Sequence, residues 1–241
     1  MQAVLLAAGQ ATRLRPLTDE RPKCLLDVGG ESILTRAVRI LVDRGVDRFV
    51  IVDGYRGDMI RSALGARFPR LTVRYARNHD YATTNNAWSL MLADWAPDES
   101  IVLLDSDIVF EPAVIDRLLA HPAPNRLGLR TRGELGTEEM KVRIGPDGMV
   151  VDLSKSIPPA NAAGESIGIE IFSAALTAEI FAILRERKAA GRLQNEYYET
   201  AFVAAIAAGY TIAPVDLGDL LCREIDTAED LAAARREFAG P

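Results

Sequence analysis

A buried strand that leads into small residues and fixed positive charges carries the clearest chemistry in this sequence. The apolar run Ala3–Ala7 is followed by Ala8-Gly9-Gln10-Ala11-Thr12-Arg13 and then by Lys23. Small side chains let backbone N–H groups approach an anion closely. Arg presents a planar fork to phosphate oxygens and Lys a mobile point charge. An ordinary surface loop with scattered basic residues is the alternative. The pattern favours a phosphate-binding loop formed by Ala7, Ala8, Gly9, Ala11, Thr12 and Arg13.

Two carboxylates that follow another apolar run offer a site for a hard cation. Asp105-Ser106-Asp107 comes directly after Ile101–Leu104, at the end of a predicted strand. A carboxylate in that place can hold a divalent cation through oxygen. The same triplet can also be a simple turn, or the cap of a helix that begins near Pro112.

The elements that must position these residues alternate between strand and helix. We predict continuous apolar strands at Ala3–Ala7, Arg48–Val52, Leu71–Ala76 and Ile101–Leu104. Amphipathic helices are predicted after a Ser32 cap, at Asp58–Phe68 and around Asn86–Ala93. This alternation indicates an α/β fold with a Rossmann-like, mostly parallel sheet covered by helices on both faces. Ligands bind beyond the carboxyl ends of such strands, where the loop and the carboxylates both lie.

The second half of the chain changes character. Glu139–Ile144 and Met149–Leu153, joined by Pro146-Asp147-Gly148, predict a β-hairpin, because Asp-Gly is a strong hairpin signal. Further predicted elements are a strand at Glu165–Phe172, helices at Ala174–Ala190 and Glu196–Ala208, a strand at Thr211–Val215 and a helix at Asp226–Phe238. These elements predict a small lobe folded onto the first half, within one domain over residues 1–241.

The opening motif resembles the signature of the nucleoside-triphosphate transferase family, which includes the sugar-phosphate nucleotidyltransferases. The matching residues are Leu6-Ala7-Ala8-Gly9, Thr12-Arg13-Leu14, Pro16-Leu17-Thr18 and Pro22-Lys23. The resemblance implies a nucleotide-diphospho-sugar transferase-like fold, with a nucleotide-binding half at about 1–135 and an acceptor-binding half at about 136–241. Ala11 stands where the common family form has glycine. Alanine still lets phosphate approach the main chain, unless that position needs a positive φ.

The resemblance also assigns catalytic roles. It implies that Arg13 holds the β- and γ-phosphates, that Lys23 lies between the α-phosphate and the acceptor, and that Asp107 binds Mg²⁺. Asp105 is expected to support the turn beside the nucleotide. The segment Cys222–Leu231 resembles the closing motif of the family, in which an aspartate, here Asp226, completes the metal site. Asp226 can also cap a helix, since Thr227-x-x-Asp230 is a passable capping box.

Later motifs resemble the phosphocholine cytidylyltransferase-like branch, which uses CTP. They are Thr84–Leu90, Glu139–Val142, Leu153–Ile157 and Gly164–Ile169. Asn85 and Asn86 are candidates for the base and sugar, because an amide offers cytosine both a donor and an acceptor; a helix cap is the alternative.

The acceptor site is expected to be formed by residues of the second half. The resemblance places Lys155 on the phosphate of the acceptor, with Lys141 able to share that anion. Aromatic faces and carboxylates suit a quaternary ammonium, so the head group is expected to contact Tyr197, Tyr198, Glu199, Glu165 and Glu224. Solvated lysines and half-buried core tyrosines are the plainer interpretation of these residues.

Composition limits the partners. The 241 residues carry a formal net charge of −6, which argues against a nucleic-acid or anionic-membrane surface. Cys24 and Cys222 lie far apart and predict reduced thiols rather than a disulfide framework. The N-terminus lacks the features of a signal peptide, so a cytoplasmic protein is expected. The sequence does not indicate an oligomeric state.

The resulting hypothesis is a Mg²⁺-dependent cytidylyltransferase that moves CMP from CTP to a phosphorylated small alcohol, with phosphocholine as the first candidate. Transfer to a sugar 1-phosphate, an inositol phosphate or aminoethylphosphonate is the alternative. An inactive nucleotide-sensing relative is a second one, although such relatives should have lost residues such as Lys23 or Asp107. A dinucleotide-binding domain would need a G-x-G-x-x-G motif, and those glycines are missing.

Overall fold

A computed structural model of the protein describes residues 1–94, 99–133 and 135–239. The strands are β1 (Gln2–Ala7), β2 (Asp27–Val28), β3 (Glu31–Ser32), β4 (Arg48–Asp53), β5 (Thr72–Arg77), β6 (Ile101–Asp105), β7 (Ile108–Phe110), β8 (Arg126–Arg130), β9 (Lys141–Ile144), β10 (Val150–Ser154), β11 (Gly164–Phe172), β12 (Ala213–Asp216) and β13 (Cys222–Glu224). The helices are α1 (Ile33–Val42), α2 (Gly57–Arg67), α3 (Asn86–Leu92), α4 (Pro112–Ala120), α5 (Ala174–Ala189), α6 (Glu199–Ala207) and α7 (Ala228–Glu237).

Nine strands form one sheet within the described residues, and the predicted mostly parallel α/β fold is confirmed. The main path runs β10-β9-β11-β6-β1-β4-β5, with β8 beside β11 and β12 beside β8. Strands β5, β4, β1 and β6 are parallel, whereas β11 runs antiparallel to β6. The strand order reverses at β1, which lies between β4 and β6. A ligand crevice is expected beyond the carboxyl ends at such a point.

Both faces of the sheet are buried, because successive side chains of β1 point to opposite faces. Val4 and Leu6 pack in one apolar cluster with α3, α5 and α6. Ala3, Leu5 and Ala7 pack in a second cluster with α1, α2 and α4. The cap predicted at Ser32 is present, since its side chain accepts a hydrogen bond from the Thr35 backbone N–H at 3.2 Å.

The predicted hairpin is present as β9 and β10, and Gly148 has a φ of 80° in its turn. The hairpin joins the main sheet through β11, so the second half continues the sheet of the first. Strand β8 was not predicted. Among the described residues, no helix is both long enough and apolar enough to cross a bilayer.

Candidate active site

A cavity of about 600 Å³ opens at the carboxyl ends of β1 and β6. These strands are neighbours, with Leu6 opposite Asp105, so the loop after β1 and the triplet after β6 face one another. The residues expected on the nucleotide side that line this cavity are Ala7, Ala8, Gly9, Ala11, Thr12, Arg13, Lys23, Asn85, Asn86, Asp105 and Asp107. The structure therefore brings the predicted phosphate loop and the predicted metal ligand to one edge of the sheet.

The loop after β1 holds Ala11 in a left-handed conformation, with φ 49° and ψ 54°. The Ala11 carbonyl accepts hydrogen bonds from the Leu14 backbone N–H at 3.0 Å and from Thr18 Oγ1 at 2.9 Å. A non-glycine residue in this region costs about 1–2 kcal/mol. The replacement of glycine at this position is therefore a strained one, because the loop does require a positive φ.

Three carboxylates converge beside this loop. Oxygen atoms of Asp107, Glu224 and Asp226 lie within 4.8 Å of one another. The strands bring them together: β13 pairs with β7, and the Ile225 backbone N–H donates to the Asp107 carbonyl at 2.9 Å. Asp226 does not cap α7, because Thr227 and Asp230 form that capping box.

The predicted phosphate-binding cations lie against these carboxylates. Lys23 Nζ is 2.9 Å from both Asp107 Oδ2 and Asp226 Oδ1, and Arg13 Nη2 is 2.6 Å from Asp226 Oδ2. Burial lowers the pKa of Lys23, but the two carboxylates outweigh it and the pKa is raised. Burial likewise opposes the charge of Asp226, but Lys23 and Arg13 hold its pKa below the usual value. Burial and the negative charges of Asp107 and Asp226 raise the pKa of Glu224 to about 7.

The start of α3 forms one wall of the cavity, the wall predicted to contact the base. Asn85 caps this helix, since its Oδ1 accepts a hydrogen bond from the Asn86 backbone N–H at 2.8 Å. Asn86 Oδ1 accepts one from the Tyr198 backbone N–H at 3.0 Å. Both asparagines also line the cavity, so the helix-start role and a place in the candidate site coexist.

Three of the predicted acceptor residues, Lys155, Glu165 and Tyr197, also line the cavity, and we call this part the acceptor end. The fourth, Glu224, lies in the carboxylate cluster with Asp107 and Asp226. Lys155 Nζ lies 5.0 Å from the centre of the Tyr197 ring. The sequence analysis missed three further residues at this end, which are Arg130, Glu138 and Glu139. Arg130 forms an ion pair with Glu165, its neighbour across β8 and β11. The Glu139 side chain has one buried oxygen, Oε2, without a hydrogen-bond partner in the described part of the chain.

Three other predicted acceptor residues do not reach the cavity, which corrects the expectation of direct contact. Lys141 is 1% exposed, and its Nζ donates to the backbone carbonyls of Gly136 at 2.9 Å and Glu139 at 3.2 Å. Tyr198 is fully buried and packs on Phe202 in the core. Glu199 is 5% exposed in the first turn of α6. Carbonyl bonding and core packing draw these side chains inward, so they support the wall of the cavity from behind.

Comparison with known proteins identifies a family of nucleoside-triphosphate transferases. Residues 3–196 match the family model described as the MobA-like NTP transferase domain, and the chain belongs to this family. One relative is the CMP-5'-(3-aminopropyl)phosphonate synthase of Streptomyces rubellomurinus, with 33% identity over 100% of this chain and 39% of its own length. Another is the choline-phosphate cytidylyltransferase of Streptococcus pneumoniae, with 32% identity over 46% of this chain and 47% of its own length. The chain thus spans less than half of each of these two curated relatives.

A solved structure shares the fold along nearly the whole chain. It is that of the CTP:phosphocholine cytidylyltransferase from Streptococcus pneumoniae, with a TM-score of 0.77 and 20% identity. The alignment covers 98% of both chains. At this level of identity the likeness establishes the fold alone.

Proposed function

We propose that this chain transfers CMP from CTP to a small phosphonate or phosphate acceptor that carries a primary amino group, with release of pyrophosphate. The observation that carries the proposal is the charge pattern of the cavity. Arg13 and Lys23 line the part that would receive a triphosphate, and the acceptor end carries Lys155, 3.7 Å from Glu138, together with Glu139 and Glu165. A positive charge beside several negative ones suits an acceptor with an anionic and a cationic end.

The reaction needs alignment and charge neutralisation rather than a covalent intermediate on the protein. An oxygen of the acceptor phosphonate or phosphate attacks the α-phosphorus of CTP, and the bond from that phosphorus to the β-phosphate oxygen breaks. The attacking oxygen is already an anion, so no general base is required. In this reaction Arg13 neutralises the leaving pyrophosphate, and Lys23 holds the α-phosphate and the acceptor together.

The carboxylates beside Lys23 fit a magnesium ion. Asp107 Oδ1 is buried without a hydrogen-bond partner among the described residues, and oxygen is the ligand that Mg²⁺ prefers. Asp107 and Asp226 would hold the ion, with Glu224 within reach of both. When bound, Mg²⁺ offsets the negative charge of the triphosphate and of the departing pyrophosphate. Lys23 and Arg13 neutralise Asp107 and Asp226 in the structure described here.

The acceptor end favours a primary over a quaternary ammonium. A quaternary ammonium donates no hydrogen bonds and is held by aromatic faces, but among the described residues that line the cavity the aromatic ones are Tyr81 and Tyr197. A primary ammonium has three donors for carboxylate oxygens. One relative matched along the whole chain, at 33% identity, is named for an aminopropylphosphonate product. Both observations support an aminoalkyl acceptor over phosphocholine, which stays the second candidate because Tyr197 is 37% exposed.

The test is pyrophosphate release with CTP, UTP, ATP or dTTP. Each is paired with 2-aminoethylphosphonate, 3-aminopropylphosphonate, phosphoethanolamine, phosphocholine or glucose 1-phosphate, with Mg²⁺ present. We expect the highest kcat/KM for CTP with an amino acceptor, and at least a roughly tenfold loss when ethylphosphonate replaces 2-aminoethylphosphonate, since a charge-assisted hydrogen bond is lost. Preference for glucose 1-phosphate would refute the proposed acceptor, and no release with any pair would favour the nucleotide-sensing alternative.

Substitutions test which residue causes the preference for an acceptor with an amino group. Glu165→Gln should narrow the gap between aminoethylphosphonate and ethylphosphonate, because it removes one negative charge from the acceptor end. Glu186→Gln is the matched control, since Glu186 is exposed on α5, outside the cavity lining. Equal discrimination by the wild type and Glu165→Gln would exclude Glu165 from amine recognition.

A further inference from the structure

Tyr198 is attached to two walls of the cavity without lining it. Its backbone N–H donates to Asn86 Oδ1 at 3.0 Å, and its phenolic O–H donates to Asp105 Oδ2 at 2.8 Å. Asn86 lies at the start of α3, in the wall predicted to contact the base, and Asp105 at the end of β6, two residues before Asp107. One fully buried residue therefore connects that wall to the strand end that leads into the carboxylate cluster.

The surrounding structure holds Tyr198 in place. Its ring packs on Phe202 with 5.2 Å between centroids, and Phe202 packs on Phe172 of β11 at 4.9 Å. The segment just before it is tied to the same helix start, because the Asn85 backbone N–H donates to the Gln194 carbonyl at 2.8 Å. A side chain packed and bonded in this way holds the hydroxyl at a fixed position.

The backbone also leaves room for the carboxylate that Tyr198 binds. Gly168 of β11 has a φ of 67°, and a Cβ at this position would lie 2.8 Å from Asp105 Oδ2. A larger residue would displace the oxygen that accepts the tyrosine hydrogen bond. Gly168 and Tyr198 thus hold Asp105 from two sides.

We propose that Tyr198 is a positioning residue that fixes Asp105 and Asn86 relative to one another and so shapes the nucleotide wall of the cavity. The inference rests on the proposed function, because it takes that wall to bind the nucleotide. Tyr197, its neighbour in sequence, lies at the acceptor end. Two adjacent tyrosines therefore serve different substrates, one by contact and the other from behind the wall.

The sharpest perturbation is Tyr198→Phe, which removes one hydroxyl and keeps the shape of the ring. We expect kcat/KM for CTP to fall roughly tenfold, the effect of losing one buried hydrogen bond. KM for the acceptor should stay within about twofold of the wild-type value. Tyr210→Phe is the matched control, because Tyr210 packs on the same apolar cluster and its hydroxyl has no hydrogen bond within the described residues. Wild-type kinetics in Tyr198→Phe would overturn the proposal.

A double-mutant cycle separates positioning from a general loss of packing. If Tyr198 acts through Asp105, Tyr198→Phe has no further effect on kcat/KM in an Asp105→Ala background. Additive losses would overturn the proposal, as would an equal loss for both substrates. The affinity for Mg-CTP, measured by calorimetry on the same four proteins, gives a readout that does not need turnover. If the wild type binds Mg-CTP but releases no pyrophosphate, the proposed transfer reaction fails, and the affinity cycle still decides the role of Tyr198. If the wild type neither binds Mg-CTP nor releases pyrophosphate, both proposals are overturned.

Discussion

Replacing Glu199 by glutamine should stabilise the protein, by an amount that grows as the pH rises. Glu199 is 5% exposed, and its Oε2 is buried without a hydrogen-bond partner among the described residues. Burial raises the pKa of its carboxyl group from 4.5 to about 7, although the Lys155 charge acts in the opposite direction. The buried Glu170 of β11, Asp105 and Tyr198 lie around it, and burial followed by the Glu199 charge raises the pKa of Glu170.

The sign and size of the stability change in Glu199→Gln follow from the linkage between protonation and folding. A carboxyl group whose pKa is higher in the folded state favours folding when protonated, so stability falls as the pH rises from about 4.5 to about 7. At 1.36 kcal/mol per pKa unit, the cost at high pH is about 3 kcal/mol. At pH 5.5 the same relation gives about 1 kcal/mol. The advantage of Glu199→Gln should therefore increase by about 2 kcal/mol between pH 5.5 and pH 8.5.

Urea unfolding, followed by circular dichroism at several pH values, measures this difference directly. The amide of glutamine has its own burial cost, but that cost does not change with pH. The diagnostic quantity is therefore the change with pH of the difference in unfolding free energy between Glu199→Gln and the wild type. The exposed Glu186→Gln serves as control and should show no comparable slope. A pH-independent stability difference for Glu199→Gln would refute the reasoning.

Three further predictions concern the loop, the cations and the acceptor end. Ala11→Gly should raise the free energy of unfolding by about 1 kcal/mol in urea titrations, because glycine adopts a positive φ without strain; a decrease would contradict the strain argument. Lys23→Met should lower kcat for pyrophosphate release by roughly a hundredfold or more, since it removes the charge that lies 2.9 Å from two carboxylates, and near-normal turnover would exclude the proposed role. Lys141→Met should raise KM for the acceptor more than KM for CTP, because Nζ holds the carbonyls of Gly136 and Glu139; equal changes in both would contradict this.

Sequence patterns predicted which residues meet at the carboxyl ends of β1 and β6, because these residues directly follow the strand ends. Once Ala3–Ala7 and Ile101–Leu104 are placed as neighbouring parallel strands, Arg13 and Asp107 must lie near each other. The left-handed conformation of Ala11 was not predicted, since alanine gives no local signal for a positive φ.

The acceptor end was harder to predict because long-range pairing forms it. Arg130 belongs to β8, a strand containing Gly128 and two arginines, whose burial comes from pairing with β11 and β12. Lysine is usually exposed, so the sequence gives no sign that Lys141 is buried. Its burial is explained by the backbone carbonyls that accept hydrogen bonds from Nζ, and these are known only from the structure. In the Tyr197-Tyr198 pair, periodicity cannot show which ring enters the core, since the pair immediately precedes α6.

The attachment of the β9–β10 hairpin has a consequence for how such a protein can change its substrate. The hairpin stands at the edge of the sheet and is joined to β6 through β11, while Arg13 and Lys23 follow from β1 in the interior. Segments flanking the hairpin carry Glu139 and Lys155. Insertions or exchanges there change the residues around Lys155 without breaking a strand pair that involves β1. If the proposed function holds, evolution or loop grafting would vary the acceptor while the nucleotide remains the same.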